Sequence, residues 1–394
     1  MPTGVGIQGL RGTGEFSVDF RPTNYRELYT MLEPNGSAPM NALLAMGSSE
    51  ETDDPTYNNF RDEMPARVLQ VNYGAGYNTS ATALTIDADN DIGFAVTGTL
   101  IANQRTGEIM RCSADSSGTT LTVTRNIGGT ALSILDNDVL AIVGSAFAEG
   151  SGAPTSVSFD PDLAYNLIQI FKTAFSVTGT TKETFFRTGD KEDEYSKKAL
   201  KLHMSDIERA MFFGKRAESG ANNAKLRFTG GLLTTITTVE DVASATVAYT
   251  WSEDDFDRWL IDTCFAFGSK EKVVFCGAQI AGHLQAIAKN RWQPTQIDNT
   301  YGINVTGYKT FAGTLMVHLH PQFRQISSLA STAIFLDFPY IKYRHLKNRD
   351  TRMEENIQAN DADEVKHQYV SDCGLELLQD KVHSVVKNWT IVGA

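Results

Sequence analysis

The sequence predicts an α+β protein, and three features carry that reading. Residues 67–153 consist of short alternating runs rich in Thr, Val and Ile, broken by Gly and Asn. Residues 190–213 hold 24 consecutive positions without Gly or Pro, with apolar side chains near helical spacing. From Trp251 onward, strand and helix patterns alternate before the chain closes in strands. At roughly 150 residues per domain, 394 residues leave room for two or three domains and an ample core.

The stretch 1–66 reads as an arm. Six of the 11 prolines (Pro2, Pro22, Pro34, Pro39, Pro55 and Pro65) fall here, with five early glycines. Such density excludes long helices and central strands, since each proline lacks a donor and each glycine adds chain entropy. Yet Tyr25, Leu28, Tyr29, Met31 and Leu32 need cover. One or two short helices are expected, lying on a neighbouring subunit or packing on the chain's own body.

Residues 67–153 read as a small β-barrel or β-rich insertion, with strands at 83–86, 99–102, 108–112, 120–124 and 139–143. Ser117-Gly118 and Gly128-Gly129 supply turns. Only four aromatics occur there, so a thin core is expected. Residues 150–154 form a small-residue hinge. Within 154–250, Leu163, Leu167, Ile170 and Phe171 predict a helix over 162–173. The long helix follows at about 190–213, where Tyr195, Leu200, Met204, Ile207 and Met211 mark one face. It would span about 36 Å. Asp190, Glu192, Asp193 and Glu194 crowd its start, and Lys215 and Arg216 follow its end, as the helix dipole favours.

Residues 251–340 read as α/β. Ser252 with Asp255 forms a capping start for a helix carrying Phe256, Trp259, Leu260, Cys264 and Phe267. A strand at 273–276, a helix at 279–289, and strands at 303–308, 315–320 and 333–336 follow. Residues 341–394 read as closing strands at 352–357, 364–370, 375–378 and 382–389.

Charge is unevenly placed. The 35 basic and 47 acidic residues give −12, and the positions before Lys172 hold all of that excess, with eight Arg, no Lys and 20 acids. A protein that coats duplex DNA needs clustered cations facing phosphates, so this distribution excludes that class. Residues 172–227 hold 12 Lys or Arg against eight acids, and Lys342, Arg344, Lys347, Arg349 and Arg352 face only Asp350. These stretches are either solvated faces or surfaces that receive acidic segments of other copies, fixing register. The four scattered cysteines form neither a disulfide framework nor a zinc ribbon, and a reducing compartment fits them. No signal peptide or 18-residue apolar run occurs, so membrane spanning is not expected and synthesis is expected in the cytoplasm.

Chemical motifs are weak. Gly4-Val5-Gly6-Ile7-Gln8-Gly9 matches the dinucleotide pattern, but no strand can precede it and no helical pattern follows. Asp87, Asp89 and Asp91 resemble the start of a calcium loop; the glycine comes one position late, at Gly93, and Gly98 replaces the bidentate Glu. His318 and His320 would share a strand face as half of a metal site without visible further ligands, and are read as strand histidines. No nucleophile or zinc-protease motif is present. No catalytic residue, cofactor or metal is therefore assigned, and an interaction or structural role is expected.

Four stretches are similar to those of one family. They are Tyr25-Arg26-Glu27-Leu28 running to Ala38-Pro39-Met40; Phe175-Ser176-Val177-Thr178-Gly179-Thr180-Thr181; Asp206-Ile207-Glu208-Arg209-Ala210-Met211-Phe212-Phe213-Gly214; and Thr229-Gly230-Gly231-Leu232. With the order of parts, the chain resembles the major capsid protein of tailed bacteriophages, the Hong Kong 97 type fold. The resemblance is to the branch whose extended loop carries a β-barrel-like insertion.

The resemblance implies an N-terminal arm (1–66), an extended loop with a β-rich insertion (67–153), and a peripheral domain (154–250, closed by 341–394) around the spine helix. It also implies an axial domain (251–340). Copies would form pentamers and hexamers of an icosahedral head enclosing double-stranded DNA, held only non-specifically, with hinges near Gly150 and Gly179 for expansion. Because the chain begins directly with the arm, scaffolding is expected from a separate protein; a portal and decoration proteins are the other implied partners. Some relatives cross-link through Lys and Asn, but the first lysine is Lys172, so the arm and loop hold no Lys donor.

The subunit-interface candidates are Tyr25, Glu27 and Tyr29 in the arm, the acids Asp53 and Asp54, and the cations Arg187, Lys197, Lys201, Arg344, Arg349 and Arg352. The rival reading is a β-rich carbohydrate- or partner-binding virion module resting on residues 67–153. An enzyme has little support.

Overall fold

The computed structural model describes residues 49–88, 92–186, 189–242, 251–288, 295–296, 306–326 and 329–389. The short helices expected in the arm, Asp89 and Asp91 of the calcium-like run, and residues 303–305 of a predicted strand lie outside them. Contacts divide the chain into two compact units, Phe60–Leu163 and the remainder.

In Phe60–Leu163 six antiparallel strands run in the spatial order Val68–Gln70, Val139–Ser145, Thr99–Asn103, Ile109–Cys112, Thr120–Thr124 and Ala83–Thr85. The two outer strands meet. Val71 bridges Ile86, Asn72 N–H donates to the Thr85 carbonyl at 3.0 Å, and Asp87 N–H donates to that of Gln70 at 2.9 Å. The sheet is therefore closed on itself, which removes the unpaired edges that promote misassembly. Twelve buried side chains fill it, all aliphatic or sulfur-bearing, including Leu69, Ile101, Met110, Leu121 and Leu140. The fully buried set thus includes no aromatic, and Tyr77 packs against it from its margin. Gly98 sits at φ +94°, and a Cβ there would collide with the Phe147 ring.

The larger unit holds a five-stranded and a seven-stranded sheet and the short ladder of Ala217–Ser219 with Leu226–Phe228. In the first, Ser49–Thr52 pairs parallel with Ile341–Leu346, which pairs antiparallel with the 14-residue strand Glu364–Leu377, which pairs with Gln169–Thr178; Arg352–Glu354 also joins Glu364–Leu377. The helix Lys191–Phe213 packs on this sheet, and Ile207, Met211 and Phe212 share a core with Phe171, Tyr343, Cys373 and Leu375.

The second sheet has seven strands. In spatial order they are Val239–Asp241, Ser384–Lys387, Ala333–Leu336, Glu271–Cys276, Thr314–Leu319, Thr306–Lys309 and Thr295–Gln296. Its central strands are buried on both faces. Phe275, Ile334 and Leu336 join the first core, whereas Val274, Cys276, Ala333 and Phe335 join a second with Phe256, Trp259 and Trp389. Double burial explains why residues 333–336 are continuously apolar instead of alternating.

Three expectations are corrected. Residues 162–173 form no helix: Asp162–Leu167 and Gln169–Thr178 are strands. The apolar spacing there also fits a half-exposed strand, and ten residue pairs with Glu364–Leu377 decide the matter for Gln169–Thr178. The strands expected at 364–370 and 375–378 are one. Gly374 lies inside it because Tyr57 Oη and the Leu167 carbonyl would sit 2.6 and 2.8 Å from any Cβ, a close approach and not a turn. The helix opened by Ser252 and Asp255 has its capping box, but its α-helical part ends at Trp259 and Leu260–Cys264 continues as a π-turn. The long helix spans Lys191–Phe213, the helix expected at 279–289 is Ala278–Ala288, and the strands of residues 67–153 lie close to their expected bounds.

Candidate assembly surfaces

The long helix is set by its ends. The Asp190 side chain accepts from Glu192 N–H at 2.9 Å, and Gly214 closes the last turn by donating to the Ala210 carbonyl at 2.8 Å. A Cβ at Gly214 would collide with the carbonyl oxygens of Ala210 and Thr229. Its outer face carries Asp193, Lys197, Lys201, Asp206 and Arg209, with Leu202 62% exposed among them. Lys197 pairs with Asp193 at 2.6 Å, Lys198 with Glu194 at 2.5 Å, and Lys182 with Glu192 at 3.0 Å. Exposed pairs of this kind contribute little, because water screens them and ordering two long side chains costs entropy. Arg216, expected to serve the helix end, instead stacks over the Tyr165 ring at 3.9 Å and donates to its carbonyl at 2.6 Å.

The helix's inner face is tied to the sheets by buried histidines. His203 contacts Thr173 Oγ1 at 3.0 Å and Ser371 Oγ at 2.7 Å, joining the helix to both long strands, and burial pushes its pKa down. His320 caps the short helix Pro321–Gln325: its Nδ1 accepts from Gln322 N–H at 3.2 Å. The proton must then sit on Nε2, which meets the fully buried Glu208 Oε1 at 2.6 Å. Burial favours the neutral imidazole. His318 and His320 thus do not form half of a metal site, and among the described residues no cluster of His, Cys, Asp or Glu could hold a metal.

The described interface candidates fall at several places in the fold. Tyr25, Glu27, Tyr29 and Arg187 lie outside the described residues. Asp53, Asp54 and Arg344 do come together, where Ser49–Thr52 enters the first sheet. They line an open pocket of about 810 Å³ with Glu51, Thr52, Thr56, Tyr57, Asn58 and Lys347. Asp54 Oδ1 accepts from Thr56 N–H at 2.7 Å, which shapes the turn. Arg344 is held by Glu376 at 2.5 Å and Glu50 at 2.8 Å. Arg349 pairs with the buried Asp372, which holds the guanidinium pKa up, and Arg352 pairs with Glu354 at 2.6 Å. Lys197 and Lys201 share the exposed helix face. Sequence reading missed Glu51, Lys347 and Glu376. Lys347 stood in the basic stretch; Glu51 comes beside that stretch through the parallel pairing of Ser49–Thr52 with Ile341–Leu346, and Glu376 through the antiparallel pairing of Glu364–Leu377 with the same strand.

Residues 12–390 match the family model described as SU10 major capsid protein. The chain belongs to that family. This capsid subunit is accordingly a structural component of the virion, the major protein of a phage head, which assembles with copies of itself and is not an enzyme. The fold, α+β around a long helix, is of the Hong Kong 97 type. The subunit is 28% identical over 342 residues to the major capsid protein of Pseudomonas phage PaMx41, covering 82% of this chain and 78% of that one. Two solved structures are similar to it at 10% identity and TM-score 0.47. One is the holo-SrpI encapsulin complex of Synechococcus elongatus PCC 7942, with 98% of each chain covered; the other is the capsid of an empty GTA particle, with 93% and 94% covered.

Proposed function

We propose that this subunit forms the pentamers and hexamers of an icosahedral shell around double-stranded DNA. Residues 1–66 act as an arm and 67–153 as an extended-loop insertion, both reaching over neighbouring copies. Residues 154–250 and 341–394 form the peripheral domain and 251–340 the axial domain. In this reading the subunit falls in the capsid branch with a β-barrel-like insertion. The closed sheet of Phe60–Leu163 is the supporting observation: a unit with its own core has its outer surface free for contacts with other copies. Hinges near Gly150 and Gly179 serve expansion, and a scaffolding protein, a portal and decoration proteins are the further partners.

Electrostatics fixes register in this scheme. Tyr25, Glu27, Tyr29, Asp53 and Asp54 of one copy meet Arg187, Lys197, Lys201, Arg344, Arg349 or Arg352 of others. Surface pairs such as Lys197–Asp193 exchange partners at little cost. DNA is held without base-specific contact, since several cations already face carboxylates in their own chain.

Electron microscopy of the expressed protein, alone and with a scaffold, tests the proposal. Shells or five- and six-fold capsomers are expected, and a discrete small oligomer overturns it. Replacing Asp53 and Asp54 with Asn should change the salt dependence of capsomer association; an unchanged salt dependence sinks the docking scheme. Particles boiled in denaturant should release monomers, whereas a ladder of covalent oligomers would contradict non-covalent overlap.

A further inference from the structure

The closed sheet of Phe60–Leu163 carries an apolar row on its outside as well as an apolar core inside. Residues 139–143 read Val-Leu-Ala-Ile-Val without a polar interruption. Leu140 and Ile142 point into the core, so Val139, Ala141 and Val143 point out. The pairing registers extend this outward row across four strands: Val68 lies opposite Ala141, Ala141 opposite Ala102, and Ala102 opposite Ile109. Ile127 adjoins the row by donating its N–H to the Ile109 carbonyl. Val143 is 56% exposed, and Val68, Ile109, Ile127 and Val139 are each about 40% exposed. Arg111, the charged side chain beside the row, turns its Nε to the Ala146 carbonyl.

A sheet with one face in water normally alternates apolar and polar residues, and strands apolar on both faces are covered on both. We infer that this outer face, from Val68 across to Ile109, is an interface covered by a second copy of the chain. The inference rests on the shell reading above and deepens it by naming the surface.

Two observations choose a second copy over a different protein. The patch exposes on the order of 400 Å² of apolar area, about half of what each partner contributes to a stable standard interface. Such a contact is too small to hold a separate partner by itself. It suffices where other contacts between the same molecules already supply proximity, as in a shell of repeated subunits. Charge points the same way. The unit carries twelve Asp and Glu against five Arg, yet the row itself holds no carboxylate. Two copies with a strong like charge can approach through that uncharged window.

The test uses the full chain with Val68→Asp and Ile109→Asp together, beside wild type and Ala83→Asp. Ala83 is exposed on Ala83–Thr85, outside the four strands of the row. Shell fraction is read by sedimentation and electron microscopy, and folding by the urea midpoint. The double variant should lose at least tenfold in shell yield with its urea midpoint kept, while Ala83→Asp assembles like wild type. If the double variant does not fold, Val68→Thr with Ile109→Thr keeps β-branching and should lower shell yield about threefold or more. Wild-type shell yield from a folded patch variant overturns the inference. So does unchanged assembly accompanied by loss of a co-purifying protein, which would assign the patch to that partner. If wild type and Ala83→Asp make no shells either, the shell reading itself fails and the patch proposal falls with it.

Discussion

Replacing Glu108 with Gln should loosen the closed sheet by about 3 kcal/mol, the lower end of the cost of breaking a buried ion pair from one side. Both partners are almost fully buried, with 5% of the Arg125 side chain and 2% of that of Glu108 exposed. Arg125 Nε and Nη2 meet the two carboxylate oxygens at 2.7 and 2.6 Å, a bidentate fork. Glu108 also accepts the Leu132 N–H at 3.0 Å, while Arg125 donates to the carbonyls of Asn78, Ala81 and Leu132. The pair therefore pins the segment after Thr120–Thr124 to the sheet. Burial opposes the charged carboxylate, but Arg125 and the backbone donors outweigh it and hold the Glu108 pKa below its usual value. Gln keeps the size and one acceptor but leaves the guanidinium uncompensated. Hydrogen exchange over Thr99–Asn103 and Ile109–Cys112 should accelerate about a hundredfold. Because the folded-state pKa is depressed, the carboxylate's contribution is present above the usual Glu range and fades as pH falls below it, so the gap between wild type and variant should narrow in acid. Removing both charges together, Glu108→Leu with Arg125→Met, should recover most of the loss. Acceleration below about threefold, or a double variant as weak as the single one, would refute this account of the pair.

Three further outcomes are expected. All four cysteines are buried, and burial pushes the thiols of Cys112 and Cys264 up to about 11 and those of Cys276 and Cys373 up to about 12; a thiol reagent near neutral pH should find none until denaturant is added, and early reaction of any one contradicts the packing around it. Gly374→Ala should cost about 2 kcal/mol in urea unfolding through its approach to Tyr57 Oη and the Leu167 carbonyl, and Tyr57→Phe in the same chain should relieve part of that cost; additive losses would argue against the contact. The Arg105 guanidinium holds Asp138 down at about 2, against 3.8 for an unperturbed Asp, so its stabilising share is present above 3.8 and is lost as pH falls toward 2. Asp138→Asn should flatten the decline of the urea midpoint across that window, and an unchanged slope would rule the pair out as its source.

Local signals were legible wherever one stretch of chain decides its own fate. Asp190, a run free of Gly and Pro, and Gly214 bound the long helix almost to the residue, and Ser252 with Asp255 caps its helix as the pattern requires. The failures share a cause. Residues 169–173 became strand because Glu364–Leu377, from the far end of the chain, offered ten pairings to Gln169–Thr178, and Gly374 proved a contact point because Tyr57 arrives from near the other end. The same distance hid Glu208 behind His320: the His-x-His pattern, read as strand histidines, gave no sign of the carboxylate that another helix supplies. Of the interface candidates, charge composition selected Asp53, Asp54 and Arg344, but only the parallel pairing of Ser49–Thr52 with Ile341–Leu346 brought them to one pocket.

That pairing also changes what the acidic excess ahead of Lys172 can do. Taken as a sum, −12 against a neutral body invites attraction between oppositely charged segments of neighbouring copies. The structure shows part of that attraction already satisfied within the chain: Glu50 pairs with both Lys342 and Arg344, Glu108 with Arg125, and Asp138 with Arg105. Charges so engaged add little net attraction to a partner, since each new pair must replace an old one. The association free energy of a shell must then come mainly from apolar area, and the uncharged row from Val68 to Ile109 lies on the unit richest in unbalanced acid. Net charge there keeps unassembled subunits apart, and the apolar window sets the one approach in which that repulsion is least. Salt should accordingly act in opposite directions on the two features, weakening paired docking at Arg344 while relieving repulsion around the row. Substitutions at Asp53 with Asp54 and at Val68 with Ile109 should therefore shift the salt dependence of assembly with opposite sign. If both pairs of substitutions move it the same way, electrostatic register and apolar affinity are not separated in this subunit.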